Sequence, residues 1–213
     1  MADTPLQGRR SATTPGLKEW LFDPFTYIAG ARSLLLGLVA VLFACLVGFF
    51  SNTHFDGVLD VHTGRRASAG AFLLEGIIDW LSLASMLFIA GKLSSRTAFR
   101  AIDLFGTQAL ARWPTVITAS AALAPPYRRL AAAIGAAFMR SESSFSPPAT
   151  DLAVFALVLL VMLFAQVLMV VLMYRAYSLC CNLKGLRAAI TFIIGLVVAE
   201  LISKLAIMQI LTS

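Results

Sequence analysis

Arg187-Ala-Ala-Ile-Thr-Phe-Ile-Ile-Gly195-Leu-Val-Val-Ala199-Glu200-Leu-Ile-Ser-Lys204-Leu-Ala-Ile-Met-Gln-Ile-Leu211 is the stretch on which the fold turns. As a helix it is about 37 Å long, enough to cross a bilayer. It nevertheless carries an acid and a base four residues apart, one turn apart on the same helical face. Ionisable groups inside a membrane are costly and face protein or water rather than lipid. Glu200 and Lys204 therefore call for partners from elsewhere in the chain. Gly195 and Ala199 form a small-xxx-small pattern that lets another helix come close.

Composition places the whole chain in the same class. Of its 213 residues 59% are hydrophobic and 13% charged, whereas soluble domains carry about a quarter charged residues. The net charge of +6 is spread over several short segments. No basic face with interleaved aromatics forms, which excludes nucleic acid as a partner and leaves the lipid bilayer. The three cysteines, Cys45 and the vicinal Cys180 and Cys181, give no disulfide framework and read as reduced thiols. Lipidation of the vicinal pair is the alternative. No cofactor is expected.

Further apolar runs lie upstream. Residues 152–174 hold a single internal polar side chain, Gln166, and 33–50 are charge-free. Residues 69–93 are interrupted by Glu75 and Asp79, again four apart. Residues 101–124 contain Asp103, Gln108, Arg112 and Pro114. Gln108, Arg112 and Thr115 share a face there, and Pro114 predicts a kink. Such a helix crosses only if it packs inside a bundle. The expected architecture is an all-α polytopic transmembrane helical bundle with five spans, 33–50, 69–93, 101–124, 152–174 and 187–211. Four spans result if 101–124 is instead an amphipathic helix ending at Trp113.

Residues 1–16, rich in Ser, Thr, Pro and Gly, read as a disordered tail before a single domain over 17–213. Trp20, Phe22, Phe25 and Tyr27 with Lys18 and Arg32 suit the headgroup layer. Asp23-Pro24 looks like an N-cap with proline at N1. Pro125-Pro126 closes the third element, and residues 130–139 are too short to span and read as an interfacial helix. A Ser/Pro loop is expected over 141–150.

With five spans and the N-terminus cytoplasmic, the inner flanks hold ten basic residues and the outer segments five, as the positive-inside rule prefers. With four spans the split is eleven to five. Charge bias does not choose between them.

Helical rise places Glu75 and Lys204 about 9–10 Å from the outer ends of their helices, and Asp79, Arg112 and Glu200 roughly 15–18 Å deep. A basic residue or Asp at a helix centre costs about 2.5–3.5 kcal/mol. The five should therefore face one another. The expected network pairs Glu75 with Lys204 and sets Asp79 and Glu200 around Arg112. It reads first as a structural device that fixes helix register, and second as a proton or ion pathway.

The polar connection 51–64 contains His54-Phe-Asp56-Gly57-Val-Leu-Asp60-Val-His62. His54, Asp56, Asp60 and His62 are weak metal candidates, since no recognised zinc spacing joins them. A solvated loop turning at Asp56-Gly57 is the preferred reading. No HExxH, GxSxG or P-loop appears, and no nucleophile has an evident base partner. An enzyme is not expected.

The order of elements carries a resemblance. A short lead-in reaches Asp23-Pro24-Phe25, and five apolar spans follow. The third contains Leu104-Phe-Gly-Thr-Gln-Ala-Leu-Ala-Arg112-Trp-Pro114, and the last Gly195-Leu-Val-Val-Ala-Glu200-Leu-Ile-Ser-Lys204. Over roughly residues 20–211 the chain resembles the Yip1 family, especially its bacterial branch. The resemblance implies a five-span bundle in the inner (plasma) membrane, N-terminus cytoplasmic and C-terminus on the opposite side. Eukaryotic members bind Rab-type GTPases. The chain lacks their Asp-Leu-Tyr-Gly-Pro-like motif, so no GTPase-binding residues are carried over. The expected function is a non-enzymatic scaffold or adaptor that assembles with itself or other membrane proteins, in membrane organisation or trafficking. The alternative is a small transporter, channel or lipid-handling protein built on the charge cluster.

Overall fold

The computed structural model describes residues 16–64, 66–140 and 147–212. The expected tail (apart from Gly16), Arg65 and most of the Ser/Pro loop lie outside the described residues. The rest is mostly helical. Four helices are long and apolar enough to cross a membrane: α2 (Gly30–Ser51), α3 (Ala69–Ser94), α7 (Ala149–Cys180) and α8 (Gly185–Thr212). They contain the expected spans 33–50, 69–93, 152–174 and 187–211. Large aliphatic side chains such as Leu35, Leu160, Leu163 and Leu201 stand exposed on them. Such a surface is stable only against lipid or another apolar partner, and the chain is an integral membrane protein.

The stretch 101–124 departs from the expectation of one span-length helix. It forms α4 (Ala101–Ala111) and α5 (Thr115–Ala121), joined by a tight turn. Pro114 has no N–H to give to Leu110, and its ring crowds that carbonyl. Bonds of the i→i−3 kind carry the chain across instead: Trp113 N to Leu110 O (3.1 Å) and Thr115 N to Arg112 O (2.9 Å). The Thr115 hydroxyl also donates to Arg112 O at 2.6 Å. Neither piece is long enough to cross alone.

The broken segment is nonetheless the centre of the bundle. α4 packs against α2, α3 and α7, and α5 against α2 and α7, while α8 lies along α3. Leu104, Thr107, Gln108, Ala109, Ala111 and Arg112 are all buried. Two glycines permit this packing. A Cβ on Gly37 of α2 would sit 2.3 Å from Leu110 N, and one on Gly106 of α4 would sit 2.7 Å from Gly30 O. Side chains lock the arrangement: Trp80 Nε1 donates to Phe105 O (3.0 Å) and Gln108 Nε2 to Met173 O (3.0 Å).

Contacts at the helix ends trace the chain's path. Gly30 at the start of α2 lies against Arg100 and Asp103 at the start of α4, and Ser95 after α3 donates to Cys181 O (2.7 Å) after α7. These define one end. At the other end, Gly48 of α2 meets Phe55 and Phe72. Thr118 of α5 lines a cavity with Leu59, Asp60 and Tyr127 there. α4 thus begins at the first end, and α5 finishes at the second, where the 52–64 loop sits.

Shorter elements cover both ends. The lead-in forms α1 (Leu17–Phe22) and a 3₁₀ turn, Pro24–Thr26. Asp23 stands at the N-cap of that turn with Pro24 at N1, as expected, though without a side-chain cap bond, and the long helix begins separately at Gly30. Phe25 plugs into the core beside α7, and Arg175 Nη1 holds Phe22 O at 3.1 Å. At the loop end, α6 (Pro125–Arg140) is amphipathic. Pro125-Pro126 opens this helix as well as closing the one before it, because a first-turn residue needs no N–H partner.

The α2–α4 contact yields a direct expectation. Gly37→Val forces backbone apart and should destabilise the bundle by about 2 kcal/mol, read by denaturant unfolding in detergent. Gly135→Val on α6, where a Cβ meets nothing within 4 Å, should cost far less.

Candidate functional site

The candidate site is built from polar groups that three long helices direct toward the core and the loop end. Glu75 and Asp79 lie one turn apart on the inner face of α3 and are both buried. Arg112 sits at the break after α4, only 2% exposed. Its guanidinium keeps its charge at any physiological pH, so burial demands a counter-ion. Asp79 supplies it, with Arg112 Nη2 at 3.1 Å from Asp79 Oδ2. The other carboxylate oxygen accepts a short hydrogen bond from Ser203 of α8. One carboxylate therefore joins α3, the α4–α5 break and α8.

The expected pairing of Glu75 with Lys204 does not form. Glu75 Oε1 is 2.8 Å from His54 Nδ1, and its Oε2 accepts from Phe55 N at 3.2 Å. Glu200 does not bond Arg112 either. Its Oε2 accepts from Leu59 N at 2.8 Å, and Gln166 Nε2 donates to Leu59 O at 2.7 Å. Lys204 takes Asp60 Oδ2 at 2.6 Å and Glu200 Oε1 at 3.4 Å. The loop, which the depth comparison left out, supplies the partners.

That loop is correspondingly not a solvated one. A two-residue antiparallel pairing, Thr53 with Thr63 and His54 with His62, closes its neck. Asn52, in the left-handed region at φ 56°, ends α2 and donates from its side chain to Gly64 O. Phe55 and Val58 are buried. Gly57 lies so near Glu200 that a Cβ would come within 2.5 Å of its Oε1. Asp56, Asp60 and His62 come together on the other side of the loop, their ligand atoms all within 4.8 Å of one another. His54 is turned away to Glu75 and stacks on Phe72, ring centroids 4.4 Å apart. The Lys204 ammonium bonded to Asp60 holds that carboxyl below its ordinary value.

Gln166 and Ser203 are participants that the sequence reading did not assign, and His54, read there as a weak metal candidate, bonds Glu75 instead. Gln166 had a usable signal, since a lone amide in an apolar span needs a partner. Ser203 and His54 had none, because their partners arrive through tertiary contact. The cysteines are free, and Cys45 and Cys181 are buried. Burial pushes the Cys181 thiol up to about 12, which disfavours the lipidation alternative at that position.

No family model matches the chain, and neither a curated protein nor a solved structure matches it. The site is therefore read on its own geometry.

Two expectations follow from it. Asp79→Asn leaves Arg112 buried without its counter-charge and should cost about 3–5 kcal/mol, measured by unfolding in detergent. Glu200→Ala removes the acceptor of Leu59 N, so hydrogen exchange should accelerate in the loop around Leu59 and not in the centre of α7. The clasp of Lys204 on Asp60 adds a pH dependence. Because the Asp60 value is depressed, the clasp contributes fully above the ordinary carboxyl value of 3.8 and is lost as pH falls below it.

Proposed function

We propose that the chain is a five-crossing, non-enzymatic membrane scaffold or adaptor of the Yip1-like type. In this reading it lies in a bacterial inner membrane, N-terminus cytoplasmic and C-terminus on the opposite side. It assembles with itself or with other membrane proteins and acts in membrane organisation or trafficking. The observation that carries the reading is the use to which the intramembrane charges are put. Asp79 holds Arg112 and Ser203, Glu75 holds His54 and Phe55 N, Glu200 holds Leu59 N, and Lys204 holds Asp60. Each joins separate elements of one frame, and the product is a bundle that presents a fixed loop at one end.

The fifth crossing is supported by the path of α4 and α5. Together with their turn they span about 30 Å at helical rise. They begin beside Gly30 and end beside the 52–64 loop. Interior position removes the difficulty of Pro114 and Arg112, since non-helical backbone at membrane depth is tolerated inside protein.

A second reading, a small transporter, channel or lipid-handling protein, is favoured by one observation. Arg112 Nη1, Gln108 Oε1 and Thr118 Oγ1 lie buried along the broken segment without a hydrogen-bond partner among the described residues. Discontinuous helices near the bilayer midplane hold solutes in secondary transporters.

The two readings separate in reconstituted vesicles. The scaffold reading expects no proton or solute flux and a stable self-assembly or fixed partner on cross-linking. Flux that disappears in Asp79→Asn or Glu200→Gln would overturn it. The crossing number is tested by labelling cysteines placed at each terminus in intact and inverted vesicles. Five crossings put the termini on opposite sides, and four put them together.

A further inference from the structure

The loop carries three polar side chains that no part of the frame accounts for fully. Residues 55–61 are fastened from inside by Glu75, Glu200 and Gln166 and by the buried Phe55 and Val58. Asp56, Asp60 and His62 gather beside one another, each partly exposed at the loop end, with Asp60 also held by Lys204. From this constellation we propose that Asp56, Asp60 and His62 form a binding site for a divalent first-row transition cation.

The distances suit shared ligation. Two ligand atoms on one such ion, each about 2.0–2.2 Å from it, lie about 3–3.6 Å apart. His62 Nδ1 is 3.2 Å from Asp56 Oδ1 and 3.8 Å from Asp60 Oδ1. At 3.2 Å the first pair should hydrogen-bond, yet Asp56 Oδ1 is withdrawn from solvent and accepts no hydrogen bond. An oxygen in that state is costly unless something else binds it, and a cation between the three groups does so.

The surroundings fix two of the three ligands. His62 stacks on His54, ring centroids 5.7 Å apart, and Glu75 in turn holds His54 Nδ1. Asp60 gives Oδ2 to Lys204 at 2.6 Å, which leaves Oδ1 toward the site. Glu75, His54 and Lys204 thus act as the outer partners that orient metal ligands. Gly64 completes the neck, since a Cβ there would fall 2.7 Å from His54 Cδ2 and 3.4 Å from His62 Nε2. Two carboxylates and one imidazole leave further positions for water, a donor set suited to Zn²⁺ or Mn²⁺ and too nitrogen-rich and too small for a dedicated Ca²⁺ cage. The bound ion would tie the two arms of the loop across its outer face, opposite the fastening from within. The proposal is independent of the number of crossings and of the scaffold reading.

The test uses the tag-free full-length chain in detergent, stripped with chelator and titrated calorimetrically with ZnCl₂ at neutral pH. One Zn²⁺ per chain is expected, and Asp56→Asn and His62→Gln should each weaken binding about tenfold or more, with elution and helicity unchanged. X-ray absorption at the zinc edge on the wild-type protein should show one imidazole in an oxygen-rich shell, which keeps the proposal testable if a variant fails to fold. No saturable binding, sulfur in the shell, or undiminished binding in the Asp56→Asn/Asp60→Asn/His62→Gln protein would overturn it and leave an ordinary ion-pair cluster.

Discussion

A guanidinium buried at a break in a helix is the constraint on which the structure depends. Arg112 cannot shed its charge, and Pro114 two residues later prevents α4 from continuing. Either feature alone would be expelled from a lipid-facing helix. Together they force α4 and α5 into the interior, where Asp79 meets the charge and i→i−3 bonds satisfy the backbone. The remaining packing follows from that placement. α2 and α7 enclose the broken segment, and glycines at positions 37 and 106 let α2 come against it. α8 lies along α3 and sends Ser203 to the second oxygen of Asp79.

One turn nearer the loop end on α3, and from α7 and α8 as well, side chains do a different job. Glu75 of α3, Gln166 of α7 and Glu200 of α8 each grip backbone or side chain of residues 54–59. A loop at a bilayer surface would ordinarily bind water, and its backbone would exchange freely. Here Phe55 N and both backbone groups of Leu59 are satisfied by side chains rising from the long apolar helices. The two layers are linked, because Glu75 and Asp79 share a face of α3. Motion of α3 against α8 would therefore be felt at both Arg112 and the loop.

The long apolar helices were legible because hydropathy over some twenty residues is a sum, insensitive to which partner each residue finds. The kink at Pro114 was legible too, as a local backbone rule. The partners of the charges were not. Counting depth along straight helices set Glu75 level with Lys204, and equal depth suggested contact. The comparison omitted the 52–64 loop, whose polar composition reads as solvated. Nothing in a one-dimensional pattern says that Phe55 and Val58 bury themselves and bring His54 and Asp60 to the helices. Arg112 with Asp79 met as the depth count placed them, whereas Glu200, placed at the same depth, is taken by Leu59 N of the loop.

The loop also changes the energetic problem that the sequence poses. Five ionisable groups facing lipid would cost on the order of 12–17 kcal/mol, comparable to the stability of a domain. Among the described residues the deeply buried Arg–carboxylate pair is Arg112 with Asp79, while the buried Glu75 bonds His54. Lys204 and its partner Asp60 are both well over a third exposed, and Glu200 reaches a backbone N–H at the same end. Folding the loop inward brings hydrogen-bond partners, His54 and Phe55 N, to Glu75 and a counter-charge, Asp60, to Lys204. Asp79 and Arg112 then offset each other's desolvation as a buried pair, and the equally buried Glu75 is compensated by His54 and Phe55 N. The short α5 reaches this same polar end, where Thr118 lines a cavity with Leu59 and Asp60.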